Sequence, residues 1–206
     1  MVKMYMDGGV FMHPILACLI LGIAISIIKG WSLLSASINT RKFLTRIKTA
    51  LSEGGIDAAT EVCANTRGPV ASIFHAGLLR TQRGLEHVEK AIVNAGNIEM
   101  AFLEKGLLWL STIIGVAPLL GFLGTVSGMI HAFDRIAQVN DISPSIVASG
   151  IAEALITTLF GLVVAIIIQF FYNYFLSRID QLVIDMEESS SDLIDTLAEL
   201  ETVKTK

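Results

Sequence analysis

The chain has 206 residues, 53% of them hydrophobic and only 17% charged, which excludes an ordinary water-soluble domain and fits one membrane domain with modest soluble extensions. The formal net charge of −4 excludes little, because the charges of a membrane protein sit in separate compartments. Three stretches carry no Asp, Glu, Lys or Arg: Gly8 to Ile28, Gly106 to Ile130 and Ala154 to Ser177. A bilayer core of about 30 Å needs roughly 20 apolar helical residues, so each stretch is long enough to span.

The first stretch reads as a retained span rather than a signal peptide. Only Lys3 precedes it, basic residues cluster after it, and no small-x-small cleavage signal closes it. Basic residues resist translocation and so set orientation. Ten lie from Lys29 to Lys105, against Arg135 alone in the connection between the second and third spans and Lys3 in the leader. The segment between the first two spans and the C-terminal tail are therefore expected in the cytoplasm, with the leader and the 134–149 loop outside. Cys18 and Cys63 fall in different environments, so neither a disulfide nor a metal pair is expected.

Beyond the first span, Ile38, Leu44, Ile47 and Leu51 form a loose apolar stripe on a basic helix that Gly54 and Gly55 end. Asp57 can cap a short helix to about Asn65, Arg67-Gly68-Pro69 is a turn, and a helix follows from Val70 to about Gln82. From about Leu85 the pattern predicts one unbroken helix to His131, roughly 70 Å long at about 1.5 Å per residue, entering the membrane from the cytoplasm.

In the tail, Ile179, Val183, Met186, Ser190, Leu193, Leu197 and Leu200 are spaced 4-3-4-3-4-3 and continue the third span as a heptad seam. The seam requires a partner surface, on its own subunit or on another. Eight acids and three bases after Ser177 make the other faces acidic, suited to the basic segment after the first span.

Helices in lipid approach through small residues, because lipid gives them no hydrophobic reason to associate. The second span offers Gly121, Gly124, Thr125 and Gly128 on one face, with Pro118 freeing the Ile114 carbonyl. The third offers Gly150, Ala154, Thr158, Gly161 and Ala165 at helical spacing and adds Glu153 at its outer side. Thr157 lies one turn from Glu153 on the same face, and Thr158 about 140° around the helix. Each has a bland reading. A threonine in a span usually bonds a carbonyl one turn back, and Glu153 at a helix start can be merely interfacial. Against that, an acid in or near a span marks function, because exposing it to lipid is costly. Together Thr125, Thr157, Thr158 and Glu153 fit a narrow polar path.

Gly121-Phe122-Leu123-Gly124-Thr125-Val126-Ser127-Gly128 resembles the GLxGTVxG signature of the MotA/TolQ/ExbB proton channel family, and Ile151 to Leu162 is similar to that family's IAEALxxTxxGL segment. Three spans and an outside N-terminus resemble ExbB and TolQ more than the longer four-span flagellar stators. The likeness covers the whole topology, but its specific motifs lie between about Ala117 and Ala165. The resemblance implies an all-α polytopic protein of the bacterial inner membrane, with two of its three transmembrane helices extended into the cytoplasm, assembling into a ring. It implies a homopentamer around the single spans of an ExbD/TolR-like partner, which supplies the membrane aspartate that takes up and releases protons. A TonB/TolA-like protein would receive the force. Thr125 and Thr158 match the family's pore-lining threonines, and Glu153 its third-span glutamate. No cofactor and no metal are implied.

The corresponding division is 1–34 for the outside N-terminus and first span, 35–105 for a cytoplasmic helical region, and 106–131 for the second span. An outside loop at 132–149, a third span at 150–177 and a cytoplasmic tail at 178–206 complete it. An intramembrane enzyme finds no support, since there is no His-Glu-x-x-His, no Gly-x-Ser-x-Gly and no paired intramembrane aspartate; His131 and Asp134 suit capping or anchoring the second span. Nor does nucleic-acid binding, since the basic residues alternate with acids and lack stacking aromatics. A structural membrane scaffold without ion conduction is the alternative, and a pore that needs no partner is a third. None of the three charge-free stretches has an acid or lysine of its own to relay protons, so a carboxylate from elsewhere is the natural complement.

Overall fold

The computed structural model describes residues 2–36, 40–139 and 144–204. Among these the chain is helical and contains no strand: α1 (Val2–Asp7), α2 (Met12–Ala36), α3 (Thr40–Ala64), α4 (Pro69–Leu78), a 3-10 turn (Thr81–Arg83), α5 (Leu85–Glu104), α6 (Leu107–Val139) and α7 (Pro144–Lys204). Among the described residues three helical stretches are long and apolar enough to cross a membrane; two contain the second and third charge-free stretches whole, and Met12–Ala36 holds the first from Met12 onward. The helix expected to run unbroken from Leu85 is interrupted. The backbone turns extended at Lys105 and reaches φ 95° at Gly106, a left-handed angle that glycine tolerates because it has no Cβ.

The chain forms two compact units. The first holds the chain up to Lys29 and Gly106–Tyr174. Its centre is small and tightly apposed: Ala117, Ala132, Ala154, Ala165 and Ile168 are buried, and a Cβ built at Gly22 of α2 would stand 2.6 Å from Cδ1 of Ile168 on α7. Ser26, also buried, donates to the Gly22 carbonyl at 2.7 Å, so its hydroxyl is satisfied within α2. The large side chains point outward: Ile28 is 71% exposed, Phe122 64% and Phe170 74%. That inverts the plan of a soluble domain and suits an exterior of lipid or neighbouring chains.

The second unit holds Gly30–Lys105 and the chain from Phe175 onward. It has an ordinary core, in which Phe43, Ile47 and Leu51 of α3 meet Ile73, Phe74 and Leu78 of α4 and Val88 and Ile92 of α5, with the Phe43 and Phe74 rings 5.5 Å apart between centroids. The α3 stripe is thus carried by Phe43 rather than Leu44, and Ile38 lies outside the described residues. The break expected at Gly54-Gly55 falls at Gly55, and α4 stops at Leu78, four residues before Gln82, because a 3-10 turn takes over.

The heptad seam packs within its own chain. Ile179, Met186, Leu193 and Leu197 are buried and Val183 and Ser190 partly so, while the Leu200 side chain lies outside the described residues. The acidic faces of α7 do meet basic α3. Lys48 approaches Asp192 at 3.8 Å, and Thr40 donates to Asp185 at 3.5 Å.

Candidate functional site

Helices α6 and α7 meet in the first unit along the small faces singled out above. A Cβ at Gly121 would stand 2.9 Å from the Thr157 carbonyl oxygen and 3.0 Å from Cα of Thr158. One at Gly161 would stand 2.6 Å from the Ala117 oxygen, and one at Gly128 3.2 Å from the backbone of both Ala154 and Gly150. These neighbours are backbone atoms, which cannot swing aside, so the glycines set how closely the helices approach. Ala165 is buried a turn beyond Gly161, and Pro118 lies partly buried inside α6.

The threonines divide by what they bond. Thr157 is buried, and its hydroxyl lies 2.8 Å from the Ala154 carbonyl and 3.3 Å from that of Gly121 across the seam. Thr158, partly buried, donates to the same Gly121 oxygen at 3.2 Å. Two residues about 100° apart on α7 therefore converge on one carbonyl of α6, because that oxygen lies between them. Thr125 instead donates to Phe122 at 2.6 Å, within its own helix.

Glu153 is partly buried at the Gly128–Gly150 end of the seam and opens into a cavity of about 540 Å³, lined also by Asp7 of α1, His131 and Arg135 of α6 and Gly150 of α7. Neither Glu153 nor Arg135 has an ion-pair partner among the described residues. The structure thus joins Thr157 and Thr158 to the Gly121–Gly124 wall and sets Glu153 among other titratable groups. Sequence reasoning gave His131 a capping or anchoring role, used Arg135 only for orientation and assigned nothing to Asp7, since no spacing rule links residues so far apart along the chain. It also passed over Gln169 and Asn173, whose side chains hydrogen-bond at 2.8 Å on the exposed surface of α7 and whose i, i+4 spacing was the available signal.

A profile of the MotA/TolQ/ExbB proton channel family matches residues 65–188. Among similar proteins, an ExbB-homologous biopolymer transport protein of Methanothermobacter thermautotrophicus is 35% identical over 86% of this chain, which spans 63% of that protein's length. The Tol-Pal system protein TolQ of Pseudomonas aeruginosa is 38% identical over 55% of this chain and 54% of its own. The biopolymer transport protein ExbB of Salmonella typhimurium is 29% identical over 83% of this chain and 78% of its own.

Proposed function

The chain belongs to the MotA/TolQ/ExbB proton channel family, and on that premise we propose that it is the ring-forming stator subunit of an inner-membrane motor driven by the proton motive force. In this reading five copies surround the single spans of an ExbD/TolR-like partner that contributes a membrane aspartate. The force passes to a TonB/TolA-like protein and energises an envelope process such as TonB-dependent outer-membrane transport. The N-terminus lies outside, and residues 35–105 and 178–206 lie in the cytoplasm, as the distribution of basic residues favours.

The observation that carries this reading is the hydroxyl-bearing seam. Thr157 and Thr158 converge on the Gly121 carbonyl, Glu153 opens into a polar cavity at the outer end, and the stretches 106–130 and 154–177 have no acid of their own. A proton path needs a titratable relay or water. The partner's aspartate would provide the relay, and Thr125 and Thr158 would hydrate and orient it. A proton crossing the membrane releases about 2.3 kcal/mol per 100 mV. Neutralising the aspartate would lower the cost of moving its helix inside the ring, so that each proton advances the partner by a step.

The experiment is proton flux into vesicles holding the ring and its single-span partner. Flux is expected with both proteins and is lost in Thr158→Val and Glu153→Gln assemblies that still form. Absence of flux from an intact complex would establish a scaffold. Flux from this chain alone would establish a pore that needs no partner, and full activity in Thr158→Val would remove that residue from the path.

A further inference from the structure

The link between α1 and α2 is built against the acid of α7. Gly9 holds φ 67°, and a Cβ placed on it would collide with Oε1 of Glu153 and stand 3.0 Å from its Cδ. The preceding residue is equally confined: a Cβ on Gly8 would stand 2.5 Å from Cγ of Met12 and 3.1 Å from Cγ2 of Ile156, one turn from Glu153 on α7. Met12 itself is buried, which anchors the turn. The Glu153 carboxylate therefore has backbone on one side, at Gly9, and the cavity shared with Asp7, His131 and Arg135 on the other.

We propose that Gly9 is a positioning residue for Glu153: its missing side chain leaves the space the carboxylate occupies, and its backbone turns that carboxylate toward the cavity. A glutamate side chain has three rotatable bonds, and without such a stop it would sample several staggered positions. In a site of low dielectric, the interaction of a carboxylate with polar neighbours depends steeply on its distance from them. Here those neighbours are Asp7 on α1 and His131 and Arg135 on α6. Fixing the Glu153 carboxylate against Gly9 gives it one orientation toward them instead of a spread. The sequence gives no sign of this, because Gly9 and Glu153 lie 144 residues apart. The functional weight of the contact rests on the reading that Glu153 serves the ion path.

The test uses the full chain, purified with its partner in phospholipid nanodiscs, as wild type, Gly9→Ala, Glu153→Ser and the double variant. Two quantities are measured: the thermal midpoint, and the position of the Glu153 carboxylate stretching band, read by infrared difference against Glu153→Gln. Alanine at a left-handed φ is strained wherever it stands, so the comparison between backgrounds isolates the contact. Gly9→Ala is expected to lower the thermal midpoint by several degrees when Glu153 is present and by less than half as much in the Glu153→Ser background. It is also expected to shift that carboxylate band, because the group is turned to other surroundings. Equal lowering in both backgrounds, or an unmoved carboxylate band, overturns the proposal. If Gly9→Ala alone fails to fold, assembly of the double variant supports the contact and its failure overturns it. Neither readout uses ion flux, so a Glu153→Gln complex that still conducts protons would sink the ion-path reading without touching this result.

Discussion

Thr157 occupies the space that a side chain at Gly124 would need. A Cβ at Gly124 would collide with Oγ1 of Thr157 and stand 2.6 Å from its Cβ. Gly124→Ala is therefore expected to cost about 1–3 kcal/mol through overpacking, and Gly124→Ala with Thr157→Ala to recover most of it by vacating the contested volume. Thermal unfolding of the four-member cycle in detergent is the measurement. Additive losses would mean that the two positions do not share that space.

Thr157→Val preserves side-chain shape and removes the hydroxyl that faces Ala154 and Gly121. The Ala154 carbonyl keeps its place in the helix ladder, and the Gly121 oxygen keeps Thr158. The expected loss is thus modest, about 1 kcal/mol, and the assembly should survive. Thermal unfolding beside Thr158→Val checks the symmetry of the argument, since the double valine variant leaves Gly121 without either hydroxyl and should lose more than the two single losses summed.

Cys63 is buried in the second unit, and burial pushes its thiol up to about 12 from an ordinary 9.0. A raised folded-state value means the folded unit favours the protonated thiol. That contribution is fully present below pH 9, and it is lost as pH rises from 9 through 12. Wild type should therefore lose stability over that window more steeply than Cys63→Ala, as followed by thermal midpoints across the range. At neutral pH alkylation of Cys63 should be slow until the unit is denatured, because the thiolate is the reacting form.

The Lys48–Asp192 pair joins α3 to α7, but both side chains are more than half exposed and 3.8 Å apart. Such a pair is worth less than about 1 kcal/mol and is screened by salt. Lys48→Ala should leave the thermal midpoint nearly unchanged, and any difference should vanish in high salt. A large loss would show that α7 is held by charge, where the burial of Ile179, Met186, Leu193 and Leu197 says it is held by apolar contact.

Much of this architecture was legible in the chain. Absence of charge over 106–130 and 154–177 marks what lipid requires, and the helical spacing of glycine and alanine marks which faces approach. The interruption at Lys105-Gly106 was missed, because a single glycine within a long apolar pattern is usually tolerated inside a helix. Thr157 and Thr158 were separated onto two faces by their angle. Their shared acceptor became visible only with α6 in place, since the position of the Gly121 oxygen is a tertiary fact. The surroundings of Glu153 were illegible for the same reason: Gly9 and the cavity residues Asp7, His131 and Arg135 are brought near it by separate helices and a turn.

Where Gly121, Gly124, Gly128 and Gly161 press α6 against α7 with contacts to the opposing helix, the fit is a matter of register as well as closeness. Shifting the register of either helix by a single residue would bring Leu120, Phe122 or Leu162 to a position now held by glycine, against backbone or the Thr157 side chain. The two helices are therefore interlocked like a key in its wards, and they can tilt or translate only together. Any mechanical stroke this protein supports has to be expressed at surfaces outside that lock.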